Sequence, residues 1–141
     1  MAPLTLSAFL CLKKGLTPEE FKNHYETIHI PLLQEILGDK FPKTYTRHYV
    51  VRSSEGATTD DKSNSNYKAS IYAGTNAEDF DYDVYSELVF EDEVKFKAFE
   101  AVMLDPVLGH KINEDTIKFV NHVKVVWINI SVSTTAQTPK E

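Results

Sequence analysis

The sequence predicts an α+β domain in which a four-stranded antiparallel sheet is covered by helices on one face. Four segments are rich in apolar, aromatic and β-branched residues, at 4–13, 43–52, 82–90 and 122–132. One amphipathic helical region separates the first segment from the second, and another separates the third from the fourth. The β-α-β order therefore occurs twice, which is the ferredoxin-like split β-α-β pattern.

The first and last strands are apolar on both faces. In the first, even-numbered leucines and Ala8 alternate with residues that include Phe9 and Cys11. Such a strand is typically buried on both sides, but the helices cover only one face of the sheet. We therefore predict a homodimer that packs sheet against sheet.

The first helical region begins at a cap. Thr17, Pro18 and Glu20 form a capping box with proline at the first helical position. One apolar stripe then follows, formed by Phe21, Tyr25, Ile28, Leu32 and Leu33.

Pro31 interrupts this region. Because a proline disfavours helical geometry at the residue before it, the helix is expected to end or kink just after His29. Tyr25 and His29 lie four residues apart and so share a helix face. This pattern places an imidazole beside a phenol at the inner end of an amphipathic helix, where we look first for chemistry.

The second helical region has two parts. One helix begins at the acidic residues 91–93, and Asp105-Pro106 begins another that reaches about Phe119. Asp115 falls on the inner stripe of this last helix, which is unusual for a carboxylate. It is either a buried structural acid or a pocket carboxylate with a raised pKa.

Length and charge limit the class of protein. The 141 residues predict one domain over 1–132, with a mobile loop at 53–66 and a frayed tail at 133–141. A net charge of −6 argues against a nucleic-acid partner, and no apolar run approaches the ~20 residues of a membrane helix. The single Cys11 fits a reducing, cytoplasmic setting.

The second strand offers candidates on both of its faces. His48 lies on one face and Arg47 and Tyr49 lie on the other, so one pocket cannot easily use all three. We favour His48 as a second proton-handling residue beside His29. Arg47 is also the expected ion-pair partner of Asp83 or Glu87 across the sheet. The candidate substrate-binding residues are Tyr25, Arg47, Tyr49, Asp83 and Asp115.

No metal ion or other cofactor is predicted. The sequence has no H-x-x-x-H, no HExxH and no cysteine cluster, and His24 and His29 would point about 140° apart on a regular helix. The glycines are scattered and form no phosphate loop. Cys11 is not expected to be a nucleophile on a buried strand. His24, His110 and His122 are interpreted as surface residues.

Four motifs resemble a known family. They are FKNHYETIHIPL, TYTRHYVVR, YDVYSELVFED and MLDPVLGHKINEDTIKFV. In this order they resemble the EthD family of the dimeric α+β barrel superfamily, and within it the fungal branch encoded with aromatic polyketide pathways. The resemblance spans residues 4–127. His29 matches the H-x-P motif of the family, whereas Asn121-His122 stands where an Asp-Arg pair is expected.

The resemblance implies a cofactor-independent lyase that decarboxylates an anthraquinone- or anthrone-type carboxylic acid. His29 and His48 would then handle protons, and Tyr25 would bind a substrate hydroxyl. A cyclase, dehydratase or isomerase acting on a related polyketide is the alternative among enzymes. A non-catalytic carrier of a hydrophobic aromatic intermediate is the alternative from a different class.

Overall fold

The computed structural model describes residues 3–53 and 68–136. Apart from Ser53, the loop predicted at 53–66 lies outside these ranges, as does the end of the predicted tail. Residues 133–136 are described and have no regular secondary structure. Within the described ranges, no helix is both long and apolar enough to cross a membrane.

The described strands are β1 (Leu4–Leu12), β2 (Thr44–Tyr49), β3 (Arg52–Ser53), β4 (Lys68–Ala69), β5 (Val84–Phe90) and β6 (Val120–Ile128). Four of them form one sheet in the order β2-β5-β1-β6, and every neighbouring pair is antiparallel. The short strands β3 and β4 pair separately. The predicted four-stranded antiparallel sheet is confirmed, although β2 and β6 end earlier than expected.

The described α-helices are α1 (Pro18–His24), α2 (Ile30–Leu37), α3 (Glu93–Met103) and α4 (Leu108–Phe119). The predicted capping box opens α1. Thr17 Oγ1 accepts a hydrogen bond from the Glu20 N–H at 3.1 Å, and Glu20 Oε1 accepts one from the Thr17 N–H at 2.9 Å. Asp105 Oδ1 accepts from the Leu108 N–H at 2.8 Å and so caps α4.

A π-helical turn, Tyr25–His29, joins α1 to α2. The Ile30 N–H donates to the Tyr25 carbonyl, five residues back. The helix therefore does not end after His29, and its hydrogen-bonding pattern changes there instead, from the π turn to α2. Pro31 lies at the start of α2, where a missing N–H costs least, and the wider turn before it leaves room for the proline ring.

The helices pack against one face of the sheet, as predicted. Ala8, Leu10 and Val84 from the strands form a core cluster with Phe21 and Leu33 from the helices. Apolar side chains of this size each stabilise the fold by about 1.5–3 kcal/mol when fully buried. The helical side chains that point inward therefore meet the sheet directly.

The other face of the sheet is more polar than predicted at β1. Because side chains alternate, this face bears Thr5, Ser7, Phe9 and Cys11. The edge strand β6 is instead exposed on both faces, with Val123, Val125 and Val126 exposed by 47%, 55% and 49%. Within the four-stranded sheet, the exposed large apolar side chains thus lie along β6.

Helices α3 and α4 approach each other closely at Gly109. A Cβ atom at this position would lie 2.2 Å from the Met103 carbonyl oxygen, so only glycine fits without a shift of the backbone. Both residues line the cavity described next.

Candidate active site

A cavity of about 440 Å³ lies between the sheet and the helices. Most of its walls are aliphatic or aromatic, including Leu6, Leu10, Leu88, Phe96, Phe99, Ile112 and Phe119. The polar side chains that line it are Tyr25, His29, Tyr45, Glu100, Asn113 and Thr116. A mostly apolar cavity with a few converging polar groups is typical of a small-molecule site.

His29 is held by Asp115 at the wall of this cavity. His29 Nδ1 lies 2.8 Å from Asp115 Oδ2, and the two residues are only 6% and 5% exposed. Because an ionised carboxylate can only accept hydrogen bonds, the proton of neutral His29 belongs on Nδ1. Nε2 has no hydrogen-bond partner among the described residues and is the ring nitrogen left for a ligand. Asp115 itself does not line the cavity, so it orients His29 and does not contact substrate there.

His24 joins the same carboxylate. Its Nε2 lies 3.0 Å from Asp115 Oδ1, and its ring stacks on Phe119 with centroids 4.7 Å apart. The surface placement predicted for His24 is wrong, since its side chain is only 20% exposed.

The π turn explains how both imidazoles reach one carboxylate. On a regular helix, His24 and His29 would point about 140° apart. The turn Tyr25–His29 is closed by a hydrogen bond between residues five positions apart, from the Ile30 N–H to the Tyr25 carbonyl. Residues five positions apart therefore lie on one face of the helix here. A π turn inside an α-helix frequently marks a functional site.

Burial lowers the pKa of His29, because the imidazolium form would lose its hydration. The hydrogen bond and the negative charge of Asp115 raise this pKa, but they do not outweigh desolvation. His29 is therefore neutral at neutral pH and presents a lone pair on Nε2.

Two phenols lie beside the imidazole. The Tyr25 hydroxyl is 2.5 Å from the Tyr45 hydroxyl and 3.1 Å from Ser86 Oγ. Burial raises the pKa of both tyrosines, so both remain neutral hydrogen-bonding groups. The rings of Tyr25 and His29 meet edge to face with centroids 5.8 Å apart. Tyr45 was not predicted, although its place on one strand face with Arg47 and Tyr49 could have suggested it.

Arg47 and Tyr49 do not line the cavity. Arg47 binds the Glu26 carboxylate through Nε at 2.5 Å and Nη2 at 2.8 Å, and the Tyr49 hydroxyl donates to Glu26 at 2.6 Å. The hydrogen bond from Arg47 is the main cause of the lowered pKa of Glu26. The expected pairing of Arg47 with Asp83 or Glu87 is therefore wrong, because Glu26 on the π turn takes this place.

Asp83 also lies away from the cavity, where its carboxylate links the end of β1 to Arg52 on β3. Its Oδ2 accepts from the Leu12 N–H at 2.7 Å, and its Oδ1 lies 2.8 Å from Arg52 Nε. Burial raises the pKa of Asp83, while the Leu12 hydrogen bond and the Arg52 charge lower it. These contacts give Asp83 a structural role, which is to bind the backbone at the end of β1.

His48 lies on the opposite face of the sheet from His29. Its side chain is exposed, and its ring centroid is 5.8 Å from that of Tyr85. A single chain therefore does not bring His29 and His48 into one pocket, and a catalytic role for His48 stays a prediction. Strand alternation separates them, and the polar partner of His29 is Asp115.

The site falls inside a known domain. The EthD domain matches residues 13–122, which include His29, Asp115, Tyr25 and Tyr45. The chain belongs to the EthD domain family. The EthD match leaves out all of β1 and most of β6, which line the cavity from the sheet side.

Two solved structures with TM-scores above 0.5 support the fold of this EthD domain. An EthD family protein from Bacillus halodurans has a TM-score of 0.52 at 15% identity, covering 92% of this chain and 100% of that one. A hypothetical protein from Arabidopsis thaliana has a TM-score of 0.53 at 13% identity, covering 96% of this chain and 94% of that one. A dimeric ferredoxin-like protein of unknown function from Thermobifida fusca reaches 0.48 at 12% identity, with 91% of each chain covered. Comparison with curated proteins found no match.

Proposed function

We propose that this EthD-domain protein is a cofactor-independent acid-base enzyme that decarboxylates an anthraquinone- or anthrone-type carboxylic acid. The observation that supports it best is the His29–Asp115 hydrogen bond at the wall of a largely apolar cavity of about 440 Å³. A flat fused-ring substrate suits both the volume and the aromatic walls. The choice of decarboxylation, and of a fungal aromatic polyketide pathway in the cytoplasm, rests on the motifs and the single cysteine of the sequence.

Substrate binding falls to the phenols and the apolar walls. The Tyr25–Tyr45 pair offers a hydrogen bond to a ring hydroxyl or a quinone oxygen. Asn113 and Thr116 on α4 supply further hydrogen-bonding groups. Exclusion of water by the remaining walls weakens the solvation of the substrate carboxylate, which favours its loss.

Decarboxylation requires one proton at the ring carbon that bears the carboxylate. Before substrate binds, neutral His29 takes this proton from solvent at Nε2, on the side of the ring that faces the cavity, and Asp115 stabilises the imidazolium through Nδ1–H. Nε2 then delivers this proton to the ring carbon, the bond to the carboxylate breaks, CO₂ leaves, and the electron pair returns to the ring. General acid catalysis of this kind contributes about 10²–10⁴-fold. His24 is the partly exposed end of this network and connects Asp115 to solvent.

Proton abstraction from the substrate is a second candidate reaction. The neutral tautomer, with hydrogen on Nδ1, makes Nε2 a base in the resting protein. Cyclases, dehydratases and isomerases of related polyketides need such a base. The same residues would act, and the mass of the product distinguishes the reactions.

The test compares wild type with His29→Gln and His110→Gln. His110 is an exposed histidine paired with Glu114 at 2.6 Å, so its variant controls for loss of an imidazole away from the cavity. A hydroxyanthraquinone carboxylic acid is the probe, with binding followed by quenching of Trp127 and turnover by release of CO₂. We expect His29→Gln to bind the probe with turnover reduced ~10²–10⁴-fold, and His110→Gln to match wild type.

The other candidates give different results in the same assay. A base-catalysed isomerase or cyclase gives a product of unchanged mass, and a dehydratase gives loss of water. A carrier binds the probe without changing it, and His29→Gln then has no effect on the probe's fate.

A homodimer is part of the proposal. Beyond the exposed valines of β6, Ile130 and Val132 are 72% and 82% exposed in a single chain. An apolar strip of this length is unusual on a monomer and is covered when a second copy packs along it.

A further inference from the structure

Three metal-ligating side chains meet at one end of the sheet, on the face opposite the cavity. Cys11 on β1 and His122 on β6 are register partners, and Asp81 lies in the segment before β5. Cys11 Sγ is 3.2 Å from His122 Nε2, which is 3.9 Å from Asp81 Oδ2. One donor atom from each residue lies within 4.8 Å of the others.

The backbone holds these residues in place. The register of β1 against β6 shifts between Cys11 and Leu12, and such a bulge re-aims the neighbouring side chains. Two residues beyond Asp81, Asp83 is tied to β1 by its N–H to the Leu10 carbonyl at 2.7 Å and by its carboxylate to the Leu12 N–H at 2.7 Å. The segment that bears Asp81 is thereby fixed against the strand that bears Cys11.

The spacing of the donor atoms suits a tetrahedral ion. Bonds of ~2.3 Å to sulfur and ~2.0–2.2 Å to nitrogen or oxygen place neighbouring ligand atoms about 3.4–3.6 Å apart. The observed separations of 3.2 and 3.9 Å lie on either side of this range. The Asp81 side chain is 55% exposed, so a small rotation can close the remaining gap.

We propose that Cys11, Asp81 and His122 form a binding site for Zn²⁺ or a similar divalent transition-metal ion. One sulfur, one nitrogen and one oxygen ligand suit Zn²⁺, whereas Mg²⁺ and Ca²⁺ require oxygen ligands. Binding exchanges the thiol proton of Cys11, released to solvent, for a sulfur–metal bond. Water completes the fourth position from a depression of about 180 Å³ that these residues line.

The neighbouring groups are compatible with a cation. Lys124 Nζ lies 3.6 Å from Asp81 Oδ2, but the lysine side chain is 67% exposed and free to turn toward solvent. The Asn121 side-chain amide lies 3.4 Å from His122 Nδ1. With the amide turned over, its oxygen can accept from Nδ1–H, the outer-shell bond that orients a metal-binding histidine.

Cobalt absorbance tests the site. Co²⁺ bound by thiolate in a tetrahedral site gives a sulfur-to-metal charge-transfer band and intense visible bands. We expect the metal-free full-length protein to develop both with one Co²⁺ per chain and to lose both when Zn²⁺ is added. Cys11→Ser should remove the charge-transfer band. His122→Gln should weaken Co²⁺ binding by more than the ~10–100-fold that loss of an outer-shell partner costs. His110→Gln is the matched control and should titrate as wild type.

The proposal is overturned if wild type shows no charge-transfer band, if the band persists in Cys11→Ser, or if His122→Gln binds Co²⁺ as tightly as wild type. Cys11 is 2% exposed, and its substitution can disturb the fold. His122→Gln alters a side chain that is 44% exposed and therefore decides the question without touching the core.

Discussion

His29 and Asp115 lie 86 positions apart in the sequence, and their side chains are joined by a buried hydrogen bond of 2.8 Å. His29 comes from a π turn in the first helical region, and Asp115 comes from the inner face of α4. This contact sets the tautomer of the imidazole and connects it, through His24, to the partly exposed edge of the helix layer. The candidate chemistry of the protein depends on this contact more than on any other.

Asp115→Asn should destabilise the protein by about 1–3 kcal/mol, because one amide oxygen cannot replace a carboxylate that accepts from both the buried His29 and the partly exposed His24. Urea unfolding monitored by circular dichroism measures this change. Glu114→Gln alters an exposed neighbour on α4, whose side chain is 59% exposed, and should change the free energy of unfolding by less than about 0.5 kcal/mol. Equal effects of the two substitutions would contradict a role for Asp115 in holding both histidines.

The lowered pKa of His29 predicts a loss of stability in mild acid. Below the unfolded-state histidine pKa of ~6.5, the unfolded chain binds a proton that folded His29 resists, so acid favours unfolding. The stability that neutral His29 contributes to the folded state is fully present above pH ~6.5 and is lost progressively as the pH falls below this value. The urea midpoint of wild type should therefore decrease between pH 7.5 and pH 5.5 by more than that of His29→Gln. If the urea midpoint of His110→Gln decreases over this pH range by as little as that of His29→Gln, the effect is not specific to His29.

His48→Gln should leave turnover of an aromatic acid within about twofold of wild type, because His48 and His29 occupy opposite faces of the sheet. The same assay that tests His29→Gln measures this effect. A large loss of turnover, with the fold intact, would show that His48 reaches a site in another way, such as from the second copy in a dimer.

Light scattering tests the homodimer. At micromolar concentration we expect twice the chain mass of 16.0 kDa. Replacing exposed apolar residues of β6 by charge, as in Val126→Lys, should shift the protein toward the monomer, because burying an unpaired charge in an interface is costly. Lys124→Glu changes an already polar position on the same strand and serves as the comparison. A wild-type mass of one chain would refute the dimer.

The sequence by itself determined the order of elements and the fold class. The capping box at Thr17, the inner stripes of the helices and the β-branched strands depend on residues a few positions apart, so each can be recognised without the rest of the chain. The sequence also placed Tyr25 and His29 together and marked Asp115 as an unusual buried acid. The motifs were enough to predict the EthD family, which the domain match confirms.

Only the tertiary structure decided which side chains meet. Pro31 was visible in the sequence, but the π turn before it was not. This turn brings His24 and His29 to one carboxylate, which α4 supplies from 91 and 86 positions away. The partner of Arg47 was likewise set by how the π turn crosses the sheet. Cys11 and His122 meet 111 positions apart because β1 and β6 pair in one register. A contact between distant segments is fixed by the docking of whole elements, and no local pattern records that docking.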